Sequence, residues 1–84
     1  MSASANPVII YSTTWCAYCK LLKQHLDNKG VKWVEKDIER DADAYHELME
    51  KTGGQARGVP VSDVRGTIVL GFDRPAIDAA LAKS

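Results

Sequence analysis

The sequence predicts one α/β domain with the element order β-α-β-α-β-β-α, and three observations carry that expectation. Apolar, β-prone runs (Val8-Ile9-Ile10-Tyr11, Val31-Lys32-Trp33-Val34 and Thr67-Ile68-Val69-Leu70) alternate with stretches in which apolar residues recur every three or four positions. Glycines fall at the junctions, at Gly30, Gly53-Gly54 and Gly66. The only two cysteines, Cys16 and Cys19, sit where the first strand gives way to the first helix.

The first strand is expected at about 8–12. Thr13 or Thr14 is then placed to cap a helix whose apolar side carries Tyr18, Leu21, Leu22, His25, Leu26 and Lys29. Asn28-Lys29-Gly30 stops it, with Gly30 suited to a left-handed residue after the last turn. Residues 31–36 return as a second strand, and a strand, helix and strand within about 25 residues favour a right-handed unit with parallel strands. Asp41 or Asp43 caps a second helix with Tyr45, Leu48, Met49 and Thr52 on one face. The loop 55–58 leads to Val59-Pro60-Val61. Beyond it, Ser62-Asp63-Val64 and Thr67-Ile68-Val69-Leu70 flank an Arg65-Gly66 hairpin turn. Asp73 caps the last helix, with Pro75 in its first turn and Ile77, Ala80 and Leu81 facing inward.

Eighty-four residues make a single domain, 1–84, near the size at which one core only just suffices. The chain is 45% hydrophobic and 26% charged with a formal net charge of zero, so nothing in its balance points to nucleic acid or an anionic membrane. Residues 1–6 lack a charged start and an apolar run, and read as a flexible leader. No apolar stretch is long enough to span a bilayer, so the expected address is the cytoplasm, and the chain is expected to be a monomer. In that reducing compartment a cysteine pair is expected to cycle rather than to staple.

The spacing of the pair, i to i+3, puts both sulfurs on one face of the first helical turn. Unpaired backbone N–H groups and the positive end of the helix dipole there favour a thiolate, chiefly at Cys16. Cys16 is therefore the expected nucleophile, and Cys19 the thiol that attacks a mixed disulfide formed on it. A purely structural disulfide closing so short a loop would add little stability. A closed zinc site would need four ligands, and the chain offers only this pair with His25 and His46. The alternative of another class is an iron–sulfur or metal carrier without turnover, in which two copies each lend Cys16. A noncatalytic adaptor ranks below both, because it has no need of two sulfurs at a helix start.

In this order of elements, Trp15-Cys16-Ala17-Tyr18-Cys19 after a strand resembles the glutaredoxin motif, Val59-Pro60 resembles its cis-proline dipeptide, and Gly71-Phe72-Asp73 resembles the segment that opens its last helix. The resemblance runs from about Val8 to Leu81 and implies a thioredoxin fold, a four-stranded mixed sheet flanked by three helices. It also implies thiol–disulfide oxidoreductase activity on protein disulfides or on mixed disulfides with a small thiol. Three departures stand out: Ala17 replaces the usual proline, Thr13 replaces a common lysine, and Leu70-Gly71 replaces a common glycine pair. The tail Gly71-Phe72-Asp73-Arg74-Pro75 is similar to NrdH-type redoxins, which take electrons from thioredoxin reductase and serve ribonucleotide reductase. The cysteine motif is equally similar to that of mycoredoxins, which work with mycothiol. Glutathione, mycothiol and thioredoxin reductase thus stand as three donors, with no cofactor bound tightly.

The residues the resemblance assigns to substrate or thiol binding are Thr13, Trp15, Tyr18, Arg57, Val59, Pro60, Phe72 and Asp73. Helical periodicity alone would put Tyr18 in the core, whereas the functional reading has its hydroxyl near the sulfurs or the bound thiol cofactor. Trp15, on a tight turn before the helix, is expected to form a docking surface. Pro60 at the head of a strand suits an edge position without the family and a cis bond with it. Lys20, Lys23, Arg57 and Arg74 are candidates for a positive rim that favours the thiolate. His25 lies about two turns past Cys16, too far along the helix to act as its base.

Overall fold

The computed structural model describes residues 7–13, 16–54 and 60–83. It contains β1 (Val8–Ser12), α1 (Ala17–Asn28), β2 (Trp33–Asp37), α2 (Ala42–Thr52), β3 (Val61–Val64), β4 (Thr67–Leu70) and α3 (Arg74–Lys83). The sheet order is β2-β1-β3-β4, with β1 and β2 parallel and the other two pairings antiparallel. The predicted element order and mixed four-stranded sheet are those observed.

β1 is central, and its period of two divides the core. Val8 and Ile10 face α1 and α3, packing with Leu22, Leu26, Val69 and Ile77. Tyr11 faces the other way, with Leu48 of α2 and Val61, and Ile9 packs against that second cluster. A strand buried on both faces explains the almost unbroken apolar run of residues 8–11.

Turns sit where the glycines forecast them. Gly30 follows α1 at φ 70° and Gly53 ends α2 at φ 64°. Arg65 and Gly66, at φ 51° and 103°, turn the β3–β4 hairpin in the left-handed conformation that such two-residue loops need. Asp41 rather than Asp43 caps α2, its carboxylate accepting the Asp43 and Ala44 N–H groups.

Four local expectations are corrected. α1 is capped by Cys16, not by Thr13 or Thr14, and its buried stripe is Cys19, Leu22 and Leu26. Tyr18 and Leu21, expected on that stripe, are 61% and 44% exposed, and Lys29 is exposed. On α2 the inward residues are Ala44 and Leu48, while Tyr45 is exposed. The second strand spans Trp33–Asp37, two residues later at its start than periodicity suggested.

One end of the sheet matters for function. Asp37 and Ser12 are register partners at the carboxyl ends of the parallel pair. Beyond Tyr11↔Val61 and Val61↔Leu70 the chain continues through Pro60 and Gly71, and the Gly71 N–H donates to the Pro60 carbonyl at 2.8 Å. Strand ends of this kind are where open α/β sheets bind ligands. Cys16 follows β1 at this end.

Candidate active site

Cys16 has extended backbone (φ −85°, ψ 109°) and serves as the N-cap of α1. Its sulfur accepts a hydrogen bond from the Cys19 N–H at 3.1 Å, the place a serine or aspartate oxygen usually takes. The first turn carries no acidic side chain, so nothing on the helix itself offsets the positive end of its dipole. Cys16 and Cys19 form a disulfide across a Cα–Cα distance of 5.3 Å, within the ordinary range for such bonds. The i to i+3 placement therefore brings the two sulfurs together, as the spacing predicts.

The pair lies low in the surface, Cys16 8% exposed and Cys19 1%. Both border a cavity of about 270 Å³ on the β2 side of the helix. Its other walls are Ser12, Thr13, Lys20, Lys23, Glu35 and Asp37. The Thr13 hydroxyl is buried and has no hydrogen-bond partner among the described residues. A larger cleft of about 570 Å³, bordered by Pro7, Asp27, Val31 and Trp33, lies at the opposite end of the sheet from the sulfurs.

Lys23 and Glu35, both on the cavity, form an ion pair. Lys23 Nζ donates to both carboxylate oxygens of Glu35 at 3.1 Å and lies 5.6 Å from the centre of the Trp33 ring. The Ser12 hydroxyl donates to the same carboxylate at 2.6 Å. The Ser12 hydrogen bond, with help from Lys23 and against partial burial, holds the Glu35 carboxyl below the usual range. Asp37 accepts the Glu39 and Arg40 N–H groups through one carboxylate oxygen.

Of the residues singled out for binding, Thr13 borders the cavity with the cysteines. Pro60 is buried at the same end of the sheet, one strand from Ser12. Phe72 packs against the α1/α3 core and meets the His25 ring edge-on at 6.3 Å. The Asp73 carboxylate accepts the Ala76 N–H at 3.2 Å and caps α3, as expected. Tyr18 stands on the outer surface of α1. Trp15, Arg57 and Val59, and with Val59 the expected cis bond, lie outside the described residues. Within the expected positive rim, Arg74 is exposed at the start of α3 and Lys23 is neutralised by Glu35.

Sequence reasoning missed Ser12, Glu35 and Asp37 as neighbours of the sulfurs. The signal was the alternation of β2, which places Trp33, Glu35 and Asp37 on one face, and it becomes useful only once that face is known to meet α1.

A disulfide at a helix N-terminus, on the carboxyl edge of a β2-β1-β3-β4 sheet with three helices, defines a dithiol redox protein of the thioredoxin fold. The thioredoxin-like protein BC3987 superposes with a TM-score of 0.78 at 23% identity, covering 87% of this chain and 97% of that one. A buckwheat glutaredoxin, solved as a complex with glutathione, gives 0.70 at 23% identity, covering 96% and 81%. The glutaredoxin family model matches residues 8–69. By sequence the chain is 32% identical over 74 residues to a glutaredoxin-like 8.6 kDa protein of the rubredoxin operon in Clostridium pasteurianum, covering 88% of this chain and 96% of that one. It is 43% identical over 67 residues to a glutaredoxin of Pseudomonas aeruginosa, covering 80% and 77%. The chain belongs to the glutaredoxin family, and with its Cys-x-x-Cys pair it is a dithiol–disulfide oxidoreductase.

Proposed function

We propose that the protein reduces protein disulfides, or mixed disulfides between a protein and a small thiol, with Cys16 as nucleophile and Cys19 as resolving thiol. The Cys16–Cys19 disulfide at the α1 N-terminus carries this reading. The Cys16 thiolate attacks one sulfur of the substrate disulfide, forming a mixed disulfide and expelling the other sulfur as a thiol. The Cys19 thiolate then attacks the Cys16 sulfur, releasing the reduced substrate and leaving the intramolecular disulfide. Two electrons from a donor restore the dithiol.

The donor is a low-molecular-weight thiol, glutathione or mycothiol, or else thioredoxin reductase. Ribonucleotide reductase is one candidate protein substrate, and we place the reaction in the cytoplasm, carried out by the monomer. Thr13, Tyr18, Pro60, Phe72 and Asp73, with Trp15, Arg57 and Val59, are the proposed contacts for substrate or thiol. Thr13 has the most direct support, because it lines the cavity beside both cysteines and its buried hydroxyl has no hydrogen-bond partner among the described residues.

The test supplies the oxidised protein in parallel with NADPH and thioredoxin reductase, with glutathione and its reductase, and with mycothiol and its reductase. The couple that sustains turnover identifies the donor. Cys19→Ser retains release of small thiols from mixed disulfides and loses reduction of protein disulfides. Cys16→Ser loses both, and activity surviving in that variant refutes the assignment.

A further inference from the structure

We propose that Glu35 is a positioning residue of the redox centre: it sequesters the Lys23 ammonium and thereby sets how readily the Cys16–Cys19 pair gives up its electrons. This rests on the dithiol chemistry proposed above.

Lys23 lies four residues beyond Cys19, one turn further along the same side of α1. Both cysteines, Lys23 and Glu35 border one cavity. Within it the ammonium is pinned by both Glu35 oxygens at 3.1 Å and by the Trp33 ring, and Ser12 fixes the carboxylate from β1. Three elements thus hold one ion pair beside the sulfurs. The remaining charges on the cavity are Asp37, engaged by the Glu39 and Arg40 N–H groups, and Lys20, which makes no ion pair among the described residues.

Reduction by a dithiol cleaves the S–S bond with two electrons. Of the dithiol's two protons, one goes to Cys19 and one to solvent, leaving Cys16 as a thiolate and the reductant as its own disulfide. A negative charge therefore appears in the cavity. A free ammonium there stabilises it and a free carboxylate destabilises it. Held together, Lys23 and Glu35 largely cancel at the sulfurs, and removing either one exposes the charge of the other.

Opposite signs follow for the two variants. Glu35→Gln leaves an uncompensated ammonium, favours the thiolate and makes the protein more oxidising. Lys23→Met leaves a bare carboxylate and makes it more reducing. Each is expected to shift the equilibrium constant with dithiothreitol on the order of three- to tenfold, the scale for one uncompensated charge in a setting between protein and water. Both side chains are partly solvated, at 24% and 33% exposure, so neither substitution empties the core.

The experiment equilibrates each variant with oxidised and reduced dithiothreitol and titrates the Cys16 thiol by alkylation. Support requires a rise in the constant and a lower Cys16 pKa for Glu35→Gln, and the reverse for Lys23→Met. The double variant should return to within about twofold of wild type, and Glu35→Asp should stay there too. Constants unchanged in both single variants, or moving in the same direction, overturn the proposal and leave the pair a structural clamp. If the wild-type pair fails to equilibrate with dithiothreitol at all, the dithiol reading fails instead.

Discussion

His25 Nε2 on α1 and Asp78 Oδ1 on α3 are 2.8 Å apart, joining the helix that carries the cysteines to the last helix of the chain. Lys29 reaches the same carboxylate at 3.4 Å, and the His25 ring also meets Phe72, which precedes α3. The link secures the segment at residues 71–73 from one side while the Gly71–Pro60 hydrogen bond secures it from the other.

His25 and then Lys29 hold the Asp78 carboxyl below its usual value by hydrogen bonding and charge. A carboxyl depressed by folding stabilises the fold above its unfolded pKa, and that contribution fades as the pH falls toward the folded value. Asp78→Asn should therefore lower the melting temperature at pH 7 and reduce the loss of stability on acidification from pH ~5 to ~3. Thermal melts across that range check it, and identical pH profiles for variant and wild type would rule the link out as a source of stability.

A second set of charges lies across the sheet. The buried Tyr11 hydroxyl donates to Glu47, Lys36 donates to the same carboxylate at 3.0 Å, and Lys51 donates to the Tyr11 hydroxyl and to Asp63 at 2.7 Å. Hydrogen bonds from Tyr11 and Lys36 lower the Glu47 carboxyl to about 2. For Lys51, burial opposes the charge, but Asp63 and Tyr11 outweigh it and hold the ammonium above its ordinary value. By the same linkage, stability from Glu47 is complete above the ordinary carboxyl range and drains away as the pH falls toward about 2. Urea titrations from pH 7 to 2.5 should show a shallower acid slope for Glu47→Gln than for wild type.

Leu22 and Leu26 both pack α1 into the core shared with β1 and α3, and both are fully buried. Leu22→Ala should cost about 2–5 kcal/mol, a large share of the stability of so small a domain. Leu21→Ala, on the exposed side, should stay within about 0.5–1 kcal/mol. Chemical denaturation of both checks the corrected helix face. Equal losses would restore the face that periodicity suggested.

Asp73 caps α3 through the Ala76 N–H, and Asp73→Ala should cost about 1 kcal/mol by loss of that cap. If the residue also contacts a bound thiol, as proposed, the KM for a small-thiol mixed disulfide rises as well. Asp73→Ser, which still caps, separates the two roles by recovering stability but not KM.

Local signals were legible in the sequence. Strand and helix order, the left-handed glycines, the Asp73 cap, the choice of Asp41 or Asp43 for α2 and the cysteine spacing depend on neighbours a few residues away. The start of α1 was not, because Thr13 and Thr14 are ordinary capping residues and a cysteine sulfur is not. The structure gives the cap to Cys16, and it is packing against β1 and α3 that selects Cys19, Leu22 and Leu26 and leaves Tyr18 and Leu21 exposed. Glu35 was illegible for another reason. Its partners Ser12 and Lys23 are 23 and 12 residues away, and only the parallel register of β1 and β2 with α1 packed above brings them together.

The proposed chemistry depends on Cys16 being activated by its place at the start of α1. The direct measurement is the pH dependence of iodoacetamide alkylation of Cys16 in the reduced Cys19→Ser protein. Activation at the helix start predicts an inflection well below the ~8.5 of a free cysteine. An inflection at or above ~8.5 would contradict it.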